Sequence, residues 1–136
     1  MKKYLVLYLT TAVVLVSLDA VWLGVIAKDF LSARLGHLLA PEVKLWAAVV
    51  FYLIYPIGVV IFASAPALAG GSWATALKYG ALFGFFAYAT YDLTNLATLR
   101  EWPIAVAGLD VAWGTLVTGI SATAGVVVER LMRRSR

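Results

Sequence analysis

Three aspartates, Asp19, Asp92 and Asp110, lie inside stretches that are otherwise apolar. An aspartate at the centre of a membrane helix costs about 2.5–3.5 kcal/mol on insertion scales, so it seldom sits there without a role. Carboxyl groups in such a setting transfer protons or hold a cation. No Lys, Arg or His lies at the same depth, so protons or a bound cation are expected to balance the three acids unless Lys28, Lys44 or Arg100 reaches inward. The surrounding residues suit that chemistry. Leu18-Asp19-Ala20-Val21-Trp22 and Leu109-Asp110-Val111-Ala112-Trp113 both read L-D-x-x-W, which puts Asp and Trp on one helical face. Asp92 and Asn95 repeat the spacing, with Tyr91, Thr94 and Thr98 beside them. An indole N–H can donate to a buried carboxylate, and an indole face can hold a cation. Tyr52 and Tyr55 share a helical face just before Pro56 and offer two further hydroxyls. The candidate catalytic residues are therefore Asp19, Asp92 and Asp110. The candidate ligand contacts are Trp22, Tyr52, Tyr55, Tyr91, Asn95, Thr98 and Trp113.

The elements that must position these residues follow from hydropathy. Residues 4–27, 45–64, 73–99 and 103–128 are each long enough to cross a bilayer, which takes about 20 apolar residues. The expected fold is an all-α membrane protein, a single bundle of four transmembrane helices over residues 1–136. At 1.5 Å per residue, Asp19 lies about 12 Å, and Asp92 and Asp110 each about 10 Å, from one common end of their spans. Helices running in alternating directions thus bring three carboxyls into one layer. Pro66 is expected to end the second span, and Pro103 to occupy the first turn of the fourth, where its missing N–H costs nothing. Pro56 removes a backbone bond near the acidic layer and invites a bend. Between the first two spans, Leu31, Leu35, Leu38 and Leu39 recur at helical spacing, with Arg34 and His37 on other faces. That spacing predicts a short amphipathic helix in the interface. Gly80 and Gly84, with Gly114, Thr118, Ser121, Ala122 and Gly125, predict close packing of the third and fourth spans.

Composition narrows the function. Hydrophobic residues make up 63% of the chain, charged residues 13%, and the mean hydropathy is +0.92. These values exclude a soluble enzyme domain, a disordered tail and a nucleic-acid-binding domain. The net charge of +4 comes largely from Lys2, Lys3, Arg130, Arg133, Arg134 and Arg136, placed where they set orientation and touch lipid heads. With both termini in the cytoplasm, seven Lys and Arg fall inside (Lys2, Lys3, Lys78 and the four C-terminal arginines) and four outside (Lys28, Arg34, Lys44 and Arg100). The first apolar run is too long for a signal peptide and reads as a retained helix. Asp29, Glu42, Glu101 and Glu129 are expected at solvated ends or loops. Trp46, Trp73 and Trp102 read as interfacial anchors, His37 as a solvated side chain, and Phe83, Phe85, Phe86 and Tyr88 as lipid-facing or packing surface. There is no cysteine, no paired histidine, no phosphate loop and no Ser-His-Asp set. No metal site or cofactor is indicated.

The runs Leu18-Asp19-Ala20-Val21-Trp22-Leu23-Gly24, Tyr91-Asp92-Leu93-Thr94-Asn95-Leu96-Ala97-Thr98-Leu99 with Trp102-Pro103, and Asp110-Val111-Ala112-Trp113-Gly114 resemble a family of small bacterial membrane proteins, domain of unknown function 2177. The resemblance covers essentially the whole chain. It implies a four-helix inner-membrane protein and brings no activity with it.

Three functions fit these observations. The first is an enzyme or binder acting on a lipid-soluble molecule of the isoprenoid, quinone or lipid class, by acid–base chemistry or cation stabilisation. The second is a proton- or cation-coupled transporter, which at this size requires a homodimer. The third is a structural or accessory membrane subunit. The first ranks ahead because the acids lie toward one face of the membrane, under a segment able to act as a lid, whereas transport sites favour the midplane.

Overall fold

The computed structural model describes residues 1–136, and every regular element in it is helical. Helix α1 spans Lys2–Ile26, with a π-helical last turn over Trp22–Ile26. Helix α2 spans Lys28–Leu35 and tightens into a 3-10 turn at Gly36–Leu38. Helix α3 spans Leu45–Gly70, helix α4 Trp73–Thr98 and helix α5 Ile104–Arg134. By length and composition α1, α3 and α5 are apolar enough to cross a membrane. Helix α4 is as long, at 26 residues, but Lys78, Asp92 and Asn95 interrupt its apolar run.

Local chemistry explains most boundaries. Ser72 begins α4 with a capping box: its hydroxyl accepts from the Thr75 N–H, and the Thr75 hydroxyl accepts from the Ser72 N–H. Pro103 stands in extended backbone as the N-cap of α5, one position earlier than expected. Two other boundaries differ from the sequence reading. Helix α3 does not stop at Pro66. A π turn over Val60–Ser64 precedes it, in which the Val60 carbonyl accepts the Ala65 N–H, and this wider turn carries the helix past the proline to Gly70. The end of α3 is then held by Arg130, which donates to the carbonyls of Ala67 (3.2 Å) and Gly71 (2.7 Å). The four leucines after α1 do not share one helix either. Leu31 and Leu35 are half-buried in α2, whereas Leu38 and Leu39 are exposed beyond the break at Gly36.

The bundle is built around α5, which packs along α4 on one side and α1 on the other. The α4–α5 seam depends on small residues. A Cβ on Gly84 would strike the Gly114 carbonyl and the Thr118 side chain; one on Gly80 would meet the Thr118 carbonyl, Gly119 and Ala122. The two backbones therefore touch, as small residues allow in lipid. Leu7, Val60, Ala67, Ala76 and Val126 form the core at the end that holds the N-terminus. Close packing there leaves the looser, aromatic half of the bundle toward α2. Glu129, expected in solvent, is instead 7% exposed on α5 and pairs with Arg133 at 3.1 Å, because the helix runs on to Arg134.

Gly84→Leu is expected to overpack the α4–α5 seam and cost about 1–3 kcal/mol or more. Gly36→Ala, where nothing lies within 4 Å of the added Cβ, serves as the neutral control. Thermal unfolding in mild detergent compares them; equal midpoints would mean that the seam is not close-packed.

Candidate functional site

The aromatic half of the bundle forms a partly open cavity of about 510 Å³, lined from α1, α3, α4 and α5. Asp19 sits on its wall, 5% exposed, near the end of α1. Both of its oxygens are engaged. The Tyr52 hydroxyl on α3 donates to Oδ2 at 2.8 Å, and the Trp113 indole N–H on α5 donates to Oδ1 at 2.8 Å. One carboxyl thus ties together three helices. Trp113 also stacks flat on Trp22, with centroids 4.4 Å apart and planes 4° apart. The two L-D-x-x-W segments therefore meet through their tryptophans. The indole following Asp110 serves Asp19 on the other helix, a crossing that single-helix spacing could not reveal.

Asp110 lines the same cavity and receives no N–H or O–H donor. Its neighbour is Asp92, close enough for one carboxyl to donate to the other when a proton is present. Asp92 is fully buried behind the wall. Its Oδ1 accepts from the Trp102 indole N–H at 3.3 Å, and its buried Oδ2 meets no donor. The acids thus stand in different surroundings: Asp19 is clamped by two donors, Asp110 faces the cavity, and Asp92 lies behind it. Lys28, Lys44 and Arg100 are exposed, and none pairs with an aspartate. The acids are not gathered into a group of three metal-ligating side chains.

Of the other sequence candidates, Trp22, Tyr52, Tyr55, Tyr91 and Trp113 line the cavity. Tyr55 shares a 2.8 Å hydrogen bond with Thr118, which holds its ring beside Phe51 and Tyr88. Asn95 and Thr98 do not line it. Thr98 is exposed and bonds back to the Thr94 carbonyl, while Asn95 is half-buried on α4. Three residues that the sequence did not assign to the site belong here. Tyr88 lies on the cavity wall, its ring against Gly114, where any side chain would collide. Phe51 completes the aromatic lining. Trp102, expected as an interfacial anchor, turns inward to Asp92 and meets Tyr91 edge-on at 5.7 Å. Spacing within a single helix pointed to neither Tyr88 nor Trp102. His37 stands above this end of the bundle, half-exposed and 2.9 Å from Glu101, joining the turn after α2 to the α4–α5 loop.

The chain belongs to the predicted membrane protein family domain of unknown function 2177 (DUF2177), which matches residues 4–127. No curated protein and no solved structure matches it.

The Asp19 clamp makes a thermodynamic prediction. Tyr52→Phe and Trp113→Phe each leave one carboxylate oxygen unsatisfied and should each cost about 1–3 kcal/mol. In an Asp19→Leu background the same changes should cost far less. Unfolding by rising denaturing detergent measures all the variants. Equal costs in both backgrounds would place the stabilising role of these donors elsewhere.

Proposed function

We propose that this protein crosses the bacterial inner membrane four times, with both termini in the cytoplasm. Its acidic, aromatic cavity binds or chemically transforms a lipid-soluble molecule. The fourth crossing is α4, whose 26 residues extend about 39 Å and whose glycine face is pressed against α5. Helix α2 and the turn after it, tied to the α4–α5 loop through His37 and Glu101, lie in the outer interface.

The observation that carries the functional reading is the contrast between Asp19 and Asp110 across one apolar space. Asp19, held by Tyr52 and Trp113, is a fixed anionic wall suited to stabilising positive charge. Asp110, free of donors and backed by Asp92, is suited to giving or taking a proton. Trp22, Trp113, Tyr55, Tyr88 and Tyr91 supply ring faces for an apolar or cationic substrate. A volume of about 510 Å³ falls within the range of small-molecule sites. Proton-coupled transport is the second reading, favoured by the contact between Asp92 and Asp110. It requires a dimer and a path from that pair to the other side, where Leu7, Val60, Ala67, Ala76 and Val126 close the bundle.

Two experiments test these readings. A fluorescent protein fused after Arg136 should fold and fluoresce, and alkaline phosphatase fused there should stay inactive. An active phosphatase would invert the orientation. Mass spectrometry of small molecules copurifying with the wild type should find a specific isoprenoid, quinone or lipid reduced several-fold in Asp110→Asn. Identical inventories in both would remove the cavity from the function.

A further inference from the structure

Resting on the lipid-soluble-ligand reading, we infer that the ligand is a single-chain cationic amphiphile. Its ammonium head sits in the aromatic cavity against Asp110, and its alkyl chain lies in a groove between α1 and α3.

The head-group assignment comes from the donors and acceptors left over. The Tyr52 hydroxyl and the Trp113 N–H are already spent on Asp19, and the Tyr55 hydroxyl on Thr118. The cavity keeps the Trp22 indole N–H and the Tyr88 and Tyr91 hydroxyls as its remaining, uncharged donors. It offers a carboxyl without a donor, a second carboxylate held in its wall, and ring faces, whose quadrupoles attract positive charge. No basic side chain answers these acids. An anionic head would find two acids and no cation. An uncharged head can donate a hydroxyl to Asp110 but brings no positive charge to the ring faces or to the second carboxyl. An ammonium head answers both features, since it pairs with Asp110 and lies against the rings.

The chain assignment comes from a second space. An open groove of about 540 Å³ runs between α1 and α3, lined almost entirely by apolar residues such as Val13, Val16, Val49 and Leu53. Tyr52 borders both the groove and the cavity, so the two spaces flank the residue that donates to Asp19. At its far end the Tyr8 hydroxyl bridges to the Leu53 carbonyl at 2.9 Å and joins the two helices. From Ser17 to Tyr8 the groove follows α1 for about 14 Å, the length of a medium alkyl tail. The groove is unlike the tight α4–α5 seam, where the backbones touch. Its occupant is the tail of a molecule whose head the adjoining cavity holds.

The test uses the full chain in lipid nanodiscs and tryptophan fluorescence, which Trp22 and Trp113 place at the site. The probes are dodecyltrimethylammonium, dodecanoate, dodecanol and butyltrimethylammonium. Wild-type protein is expected to bind the dodecyl cation saturably, at least ten-fold more tightly than the dodecyl anion, the alcohol or the butyl cation. Asp110→Asn should lose at least ten-fold toward the dodecyl cation. Val13→Trp, which fills the groove from an exposed position, should narrow the advantage of the dodecyl over the butyl cation. Near-ultraviolet circular dichroism of the stacked indoles reports whether each variant is folded, and Asp110→Ala replaces Asp110→Asn if that variant is not. Equal saturable binding of the cation, anion and alcohol would overturn the cationic head while leaving a lipid-soluble ligand in place. An unchanged chain-length advantage in Val13→Trp would overturn the groove assignment. Saturable binding of none of the four would overturn both this inference and the reading beneath it.

Discussion

The aromatic half of this bundle is organised by one buried carboxylate. Asp19 would cost about 2.5–3.5 kcal/mol to insert alone. Two hydrogen bonds at the average measured between membrane helices, about 0.6 kcal/mol each, fall short of that. Bonds to an ionised group are worth about 1.5–3 kcal/mol each, so two of them match the cost. The donors must then come from rigid positions, and they come from two other helices: Tyr52 on α3 and Trp113 on α5. The position of Trp113 fixes its stack with Trp22, and the position of Tyr52 fixes the edge shared by cavity and groove. Removing Asp19 would therefore disturb three helices, although it touches only two partners.

The rest of the architecture reads as the counterpart of that constraint. A wide aromatic space can persist in one half of the bundle because the other half is closed by small residues and backbone contact. Gly80 and Gly84 bring α4 onto α5, and Gly125 brings α5 against Thr11 and Leu7 of α1. Gly114 belongs to both halves: it continues the α4–α5 seam and makes room for the Tyr88 ring on the cavity wall. The two π turns fall where they set contacts between helices. One starts at Trp22 itself, and the other carries α3 past Pro66 to the carbonyls that Arg130 holds.

Much of this was legible in the residues. Hydropathy located the long helices, and two of the aspartates singled out within apolar runs, Asp19 and Asp110, line one cavity. The L-D-x-x-W echo marked Trp22 and Trp113, and the glycine spacing marked the α4–α5 seam. Pairings across helices were not legible, because helical spacing describes one helix at a time. It could not say that Trp113 would donate to Asp19 and not remain with Asp110, or that Trp102 would turn inward to Asp92. Tyr88 was hidden for the same reason, since its place depends on Gly114 opposite. Pro66 and Glu129 were misplaced by local rules, by a π turn in one case and by the length of α5 in the other.

The central claim is that the space between Asp19 and Asp110 holds a lipid-soluble molecule. A photoreactive long-chain probe, activated in membranes containing the protein and mapped by mass spectrometry, tests it most directly. The account predicts saturable labelling of Tyr52 and Tyr88, competed by unlabelled probe, above a diffuse background on outward residues such as Phe62 and Phe86. Labelling confined to Phe62, Phe86 and other outward side chains, without saturation, would contradict it.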